Sequence, residues 1–165
     1  PNRLGYFCNF NSIMENDPTL KIGVVGFSRN QFDQKDADHK LRQLITQIIE
    51  NKDIQYIEIV SGLTNMGVPR LAYLLADELG ITTVGFSASQ AFWVRAGIYP
   101  VKKQIIVGQK FGDESAEFIK YIDVLVRIGG GKQSRHETEL FKQLNSGKNL
   151  SKIVFEEEVE WFGRN

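Results

Sequence analysis

The chain of 165 residues contains one cysteine, Cys8, so no internal disulfide can form. Two histidines and that single thiol never approach metal-ligand spacing, and a structural zinc site is excluded. Lysine plus arginine number 20 and aspartate plus glutamate number 20, leaving no net charge. A protein without an overall positive field lacks the long-range attraction that gathers nucleic acid, so generic nucleic-acid binding is not expected. Apolar runs are strand-sized, well short of the ~20 residues needed to cross a bilayer. The opening residues, Pro1-Asn2-Arg3-Leu4-Gly5-Tyr6-Phe7, contain no signal-peptide core, and a cytoplasmic location is expected.

With 42% hydrophobic and 24% charged residues, the composition is that of a globular domain able to bury an ordinary core. One domain is expected, without a low-complexity linker and with an N-terminal arm over 1–18. Residues 21–26 form a short β-branched run typical of a buried strand. In 33–51 the apolar residues Leu41, Leu44, Ile45, Ile48 and Ile49 repeat at helical spacing along one stripe. The pattern then alternates: strand 56–60, helix 68–79, strands 82–86 and 104–107, helix 114–121, strand 123–128, helix 134–144 and strand 152–155. Pro69 falls in a helix's first turn and Gly80 just past its end, the positions each residue favours. Such alternation predicts an α/β fold, Rossmann-like, with three α/β/α layers and a mainly parallel sheet. In that architecture ligands sit beyond the carboxyl ends of the strands.

Two strand-to-helix junctions could carry chemistry. One is Ser61-Gly62-Leu63-Thr64-Asn65-Met66-Gly67; the other is Gly129-Gly130-Gly131-Lys132-Gln133-Ser134. Glycine lets another group approach the backbone closely, and the helix start beyond offers free N–H groups and a positive dipole end. Hydroxyl and amide side chains add donors, and phosphate is the natural occupant. The standard phosphate motifs do not fit. Gly131-Lys132 is followed by Gln133, and Val126 stands where a P-loop has its first glycine. Gly23-Val24-Val25-Gly26-Phe27-Ser28 is not a dinucleotide fingerprint either. Gly26-Phe27-Ser28 is echoed by Gly85-Phe86-Ser87, each at a strand end, which makes Gly26, Ser28 and Ser87 further candidates.

Ser134-Arg135-His136-Glu137 matches a capping box, and spacing alone favours that reading of Glu137 over a ribose-holding or acid–base role. His39 and His136 read as surface residues of helical first turns. Asp33, Asp36 and Asp38 read as dipole complement rather than as a metal site. Glu156, Glu157, Glu158 and Glu160 read as a solvated edge, Lys102 and Lys103 as exposed. Phe92 and Trp93 suit either base stacking or core packing. Nothing calls for a resident cofactor or metal.

Taken together, the order and separation of the two junctions resemble the SLOG superfamily. It includes the "lonely guy" phosphoribohydrolases, often misnamed lysine decarboxylases, and the molybdenum-cofactor carrier proteins. The likeness spans residues 21–155, and 129–137 follows the family's G-G-x-G-T-x-x-E layout with the final glutamate, Glu137, in place. It implies a Rossmann-like sheet, a homodimer and a nucleotide-like, phosphate-bearing ligand. Gly62, Thr64, Gly67 and 129–134 would line the phosphate, Asn65 and Lys132 would contact it, and Ser28 and Ser87 would face ribose or base. Three departures bear on activity. No arginine occurs in 112–120, Lys132-Gln133-Ser134 replaces Gly-Thr, and Thr138 rather than a second glutamate follows Glu137. The expectation is therefore a binding or sensing protein for a nucleotide or ADP-ribose-type signal. The alternatives are a nucleoside-monophosphate N-glycosidase using Glu137 and a carrier for the molybdenum cofactor.

Overall fold

The computed structural model describes residues 18–50 and 52–163; the N-terminal arm expected over 1–18, apart from Pro18, and Cys8 lie outside them. Six strands form one sheet: β1 (Thr19–Gly26), β2 (Tyr56–Ser61), β3 (Thr82–Ser87), β4 (Lys103–Ile106), β5 (Val124–Ile128) and β6 (Val154–Glu157). Their order is β4-β3-β2-β1-β5-β6, and every pair is parallel. Four helices connect them: α1 (Gln34–Glu50), α2 (Gly67–Leu79), α3 (Ser115–Tyr121) and α4 (Lys132–Leu144). The expected α/β alternation is thus present, and strand ends agree with the sequence reading to within two residues.

Alternation along β1 builds two cores. Ile22 and Val24 face a layer made with Leu41, Ile45, Ile48, Leu71, Leu75 and Ala76 from α1 and α2. Val25 faces the other layer, with Phe118, Ile119 and Ile122 around α3 and Phe141 of α4. A strand buried on both faces must be apolar throughout, which is why these strands read as continuous β-branched runs. Each fully buried leucine or isoleucine contributes roughly 1.5–3 kcal/mol, so the α1 stripe alone fixes that helix to the sheet.

Chain direction reverses its march across the sheet at one place. From β1 the connections step outward through β2, β3 and β4; the chain then crosses back to lay β5 on the opposite side of β1. Between β1 and β5, Val24 pairs with Val126 and Gly26 with Ile128. The loops leaving these two strands diverge to opposite faces, and a crevice opens at their carboxyl ends.

Candidate ligand cleft

A cleft of about 450 Å³ lies at that switch point, within the size range of small-molecule sites. Its floor is the carboxyl ends of β1, β2 and β3, through Val24, Val25, Gly26, Ser61, Phe86 and Ser87. One wall is the start of α4 with Gly131, Lys132, Gln133, Ser134 and Glu137; Ser28 and Arg29 come from the loop after β1. Leu63, Met66, Pro69, Val94, Phe111 and Phe118 make an apolar side. A larger groove of about 680 Å³ lies at the other end of the sheet, along Thr19, Tyr56, Thr82 and the end of α2. Helix carbonyl ends face that region, so it is unsuited to an anion.

The two junctions behave differently. At 61–67 the backbone donors at the start of α2 are already used. Gly67 N–H donates to Asn30 Oδ1 at 2.9 Å and Val68 N–H to the Phe27 carbonyl at 2.7 Å. Thr64 pairs with Ile98, and Asn65 N–H donates to the Gly97 carbonyl at 2.9 Å, tying this segment to the β3–β4 connection. Ser61 Oγ donates to the Val24 carbonyl at 2.6 Å, and the Tyr73 hydroxyl lies 2.7 Å from the Gly62 carbonyl. Gly67 has φ 67°, and a Cβ there would stand 2.2 Å from the Phe27 carbonyl oxygen, so packing alone requires glycine.

The 129–134 junction is open. Gly131 is the N-cap of α4 with no side-chain cap bond, and a Cβ built on it meets nothing within 4 Å. The first N–H groups of a helix have no partner inside it, so this end presents donors and a positive dipole end to the cleft. Gly129 and Gly130 do not line the cleft. Their glycine identity follows from close contacts: a Cβ at Gly129 would meet the Phe27 ring at 2.3 Å, one at Gly130 the Ser134 Oγ at 2.0 Å.

Among the sequence candidates, Gly26, Ser28, Ser61, Gly62, Thr64, Ser87, Gly131, Lys132, Gln133, Ser134 and Glu137 line the cleft; Asn65, Gly67, Gly129 and Gly130 do not. Asn65 Oδ1 is buried without a hydrogen-bond partner. The capping-box reading is corrected. The helix starts at Lys132, two residues before Ser134, so Ser134 lies inside the first turn and donates to the Gly131 carbonyl at 3.2 Å. Glu137 therefore sits in the second turn, away from the helix's free N–H groups, and turns into the cleft.

Glu137 is 6% exposed, and its carboxyl is pushed up to about 8 by burial first and then by the charge of Glu114, with a Gln133 hydrogen bond opposing. Glu114, equally buried, was missed by sequence reasoning. It is the N-cap of α3, its Oε2 accepting from Gly112 N–H at 3.0 Å and its Oε1 from Gln133 Nε2 at 3.1 Å. Arg29 and Phe111 were missed as well, because loop residues carry no periodicity to reveal their neighbours. Phe92 and Trp93 lie on a 3-10 turn after β3 at 43% and 83% exposure, which rules out the core alternative. His39 and His136 are exposed, as expected.

No protein-family model matches the chain, and no curated protein matches it either. Solved structures do. The protein TM1055, a structural-genomics target, superposes with a TM-score of 0.59 at 19% identity, covering 84% of this chain and 91% of its own. The molybdenum cofactor binding protein from the phototrophic bacterium Rippkaea orientalis gives 0.62 at 22% identity, covering 86% and 77%. The chain shares with these structures a parallel-sheet, Rossmann-like α/β fold. Among the described residues no helix is long and apolar enough to cross a membrane.

Proposed function

We propose that the cleft binds a phosphate-bearing, nucleotide-like ligand, with its anionic end at the start of α4 and its ring against the apolar side. The observation that carries this reading is the uncapped helix end at Gly131, the N-cap residue, which lines the cleft and has empty space beside it. Lys132 and Arg29 supply cationic side chains, while Ser28, Ser87 and Ser134 supply hydroxyls. Phe86, Phe111 and Phe118 provide aromatic faces for a planar ring. A pair of buried acids beside the anion site favours ligands that present N–H or O–H donors there, as a ribose or a purine does. Binding or sensing is the leading role, in the cytoplasm and as a homodimer; Leu74 and Leu79, exposed on α2, are apolar side chains available to such a pairing.

Calorimetry with AMP, ADP, ADP-ribose, cyclic ADP-ribose and the molybdenum cofactor, which the Rippkaea protein binds, tests the reading. One of these is expected to bind in the micromolar range, and Gly131→Asp, which puts a carboxylate where the phosphate would lie, to abolish it. No binding at millimolar concentration, or binding unaltered by that substitution, overturns the proposal.

A second reading rests on Glu137. A carboxyl that stays protonated to about pH 8 is a proton donor at neutral pH. It would protonate the departing base of a nucleoside monophosphate as water adds to the sugar's anomeric carbon and the N-glycosidic bond breaks. Chromatography for free adenine after incubation with AMP decides between the readings. Release that disappears in Glu137→Ala makes the protein an enzyme, and binding without release makes it a receptor.

A further inference from the structure

Behind the glycine turn, on the side away from the cleft, lies a charge network that the binding reading does not use. Arg127, on β5 and only 5% exposed, donates from Nη1 to the Gly129 carbonyl at 2.8 Å. Arg135, on the outer face of α4, donates from Nε to the Gly130 carbonyl at 3.1 Å. Glu158 joins the two guanidinium groups, its Oε1 2.9 Å from Arg127 Nη2 and its Oε2 2.9 Å from Arg135 Nη2. Glu156 holds Arg127 from the other side at 3.1 Å.

Peptide geometry gives this network a consequence. In a planar trans peptide the carbonyl of one residue and the N–H of the next point in opposite directions. Fixing the Gly129 carbonyl therefore aims the Gly130 N–H the other way, and fixing the Gly130 carbonyl does the same for the Gly131 N–H. Of these two N–H groups, that of Gly131 belongs to a residue lining the cleft. Glycine at φ 55° and 108° has no side chain to hold such a turn, so outside contacts must do it.

Glu158 is itself anchored. The chain that carries it returns along the loop after β1: Lys40 Nζ donates to the Glu158 carbonyl at 2.7 Å, Asp33 N–H to the Glu160 carbonyl at 3.0 Å, and Phe162 N–H to the Gln31 carbonyl at 2.8 Å. Trp161 stacks on Phe27 with 4.9 Å between centroids. The same short segment therefore holds the two sides of the cleft mouth, the loop bearing Arg29 and the glycine turn.

We propose that Glu158 is a positioning residue for the ligand: through Arg127 and Arg135 it holds the Gly129 and Gly130 carbonyls outward and so keeps the Gly131 N–H, beside the cleft, aimed at the anion. The proposal rests on the ligand reading above. Glu158 and Arg135 have side chains 62% and 49% exposed, and exposed ion pairs add little to stability. Glu158→Gln and Arg135→Gln are thus expected to leave Tm close to that of the wild type.

The test measures three quantities on the full chain: affinity for the nucleotide that the wild type binds, Tm, and the exchange rates and shifts of the Gly130, Gly131 and Lys132 amides without ligand. Both variants should bind roughly five- to tenfold more weakly, the effect of one weakened hydrogen bond of ordinary strength, with those amides perturbed and Tm unchanged. Equal affinity with unchanged amides overturns the proposal and leaves the ligand reading standing. Affinity and Tm falling together also overturn it, because Glu158 is then only structural. A wild type that binds no probe overturns the ligand reading itself, and this one with it.

Discussion

The junctions at 61–67 and 129–134 leave the same parallel sheet at the same end, each rich in glycine and each opening a thirteen-residue helix. At the first, the loop after β1 occupies the helix's donors through Phe27 and Asn30, and glycine is needed because Gly67 touches backbone. At the second, a Cβ on Gly131 would meet nothing within 4 Å and the helix end faces the cleft. Glycine content is therefore a poor guide to ligand binding. What distinguishes an open turn from a packing turn is whether the protein has already satisfied its N–H groups.

The comparison can be broken most forcefully at Gly67. Gly67→Ala forces a Cβ against the Phe27 carbonyl at positive φ and should cost about 3 kcal/mol, read as a lower urea midpoint. Tolerance there would mean the first junction is not packed shut.

The open junction has its own signature in pH. Glu137 is held protonated in the fold up to about 8, against 4.5 when exposed, so the folded state binds the extra proton between those values. Its contribution is intact below pH 4.5 and is lost as pH rises towards 8. Glu137→Gln, which mimics the protonated form, should match the wild type at pH 4 and be more stable above pH 8 by several kcal/mol. Thermal unfolding across that range checks it, and equal shifts at both ends would place the carboxyl in water instead.

Asn30→Ala removes the acceptor that caps α2 from outside its own chain segment, and a loss of about 1 kcal/mol is expected in chemical denaturation. The smallest stability change belongs to Gly131→Asp. A carboxylate is welcome at an N-cap, φ there is −97°, and Tm should move by less than the equivalent of about 0.5 kcal/mol even as ligand affinity disappears.

Much of the fold is legible in the order of residues. Strands such as Val24-Val25 and Leu125-Val126 are apolar on both faces because helices cover both, and the Leu41–Ile45–Ile48 stripe has the period of a helix. Most of the cleft-lining positions on β-strand ends and on α4 are legible too, because the crevice rule points to those ends. The start of α4 is misread because Ser134-x-x-Glu137 fits a capping box whether or not the helix begins there. The acidic run at 156–160 looks solvated because its partners, Arg127, Arg135 and Lys142, lie on other elements and no local pattern announces them. Glu114 is hidden for the same reason: only the packing of α3 on α4 brings it beside Glu137.

The amino-acid order by itself determined the alternation of strands and helices, the parallel sheet and the two glycine-rich turns at its carboxyl end, since these follow from hydrophobic period and local backbone preference. The tertiary structure alone decided which turn is free, which carboxylates meet, and which arginines hold the glycine carbonyls. Those outcomes depend on groups distant in sequence competing for the same backbone donors and acceptors, and only the folded chain settles that competition.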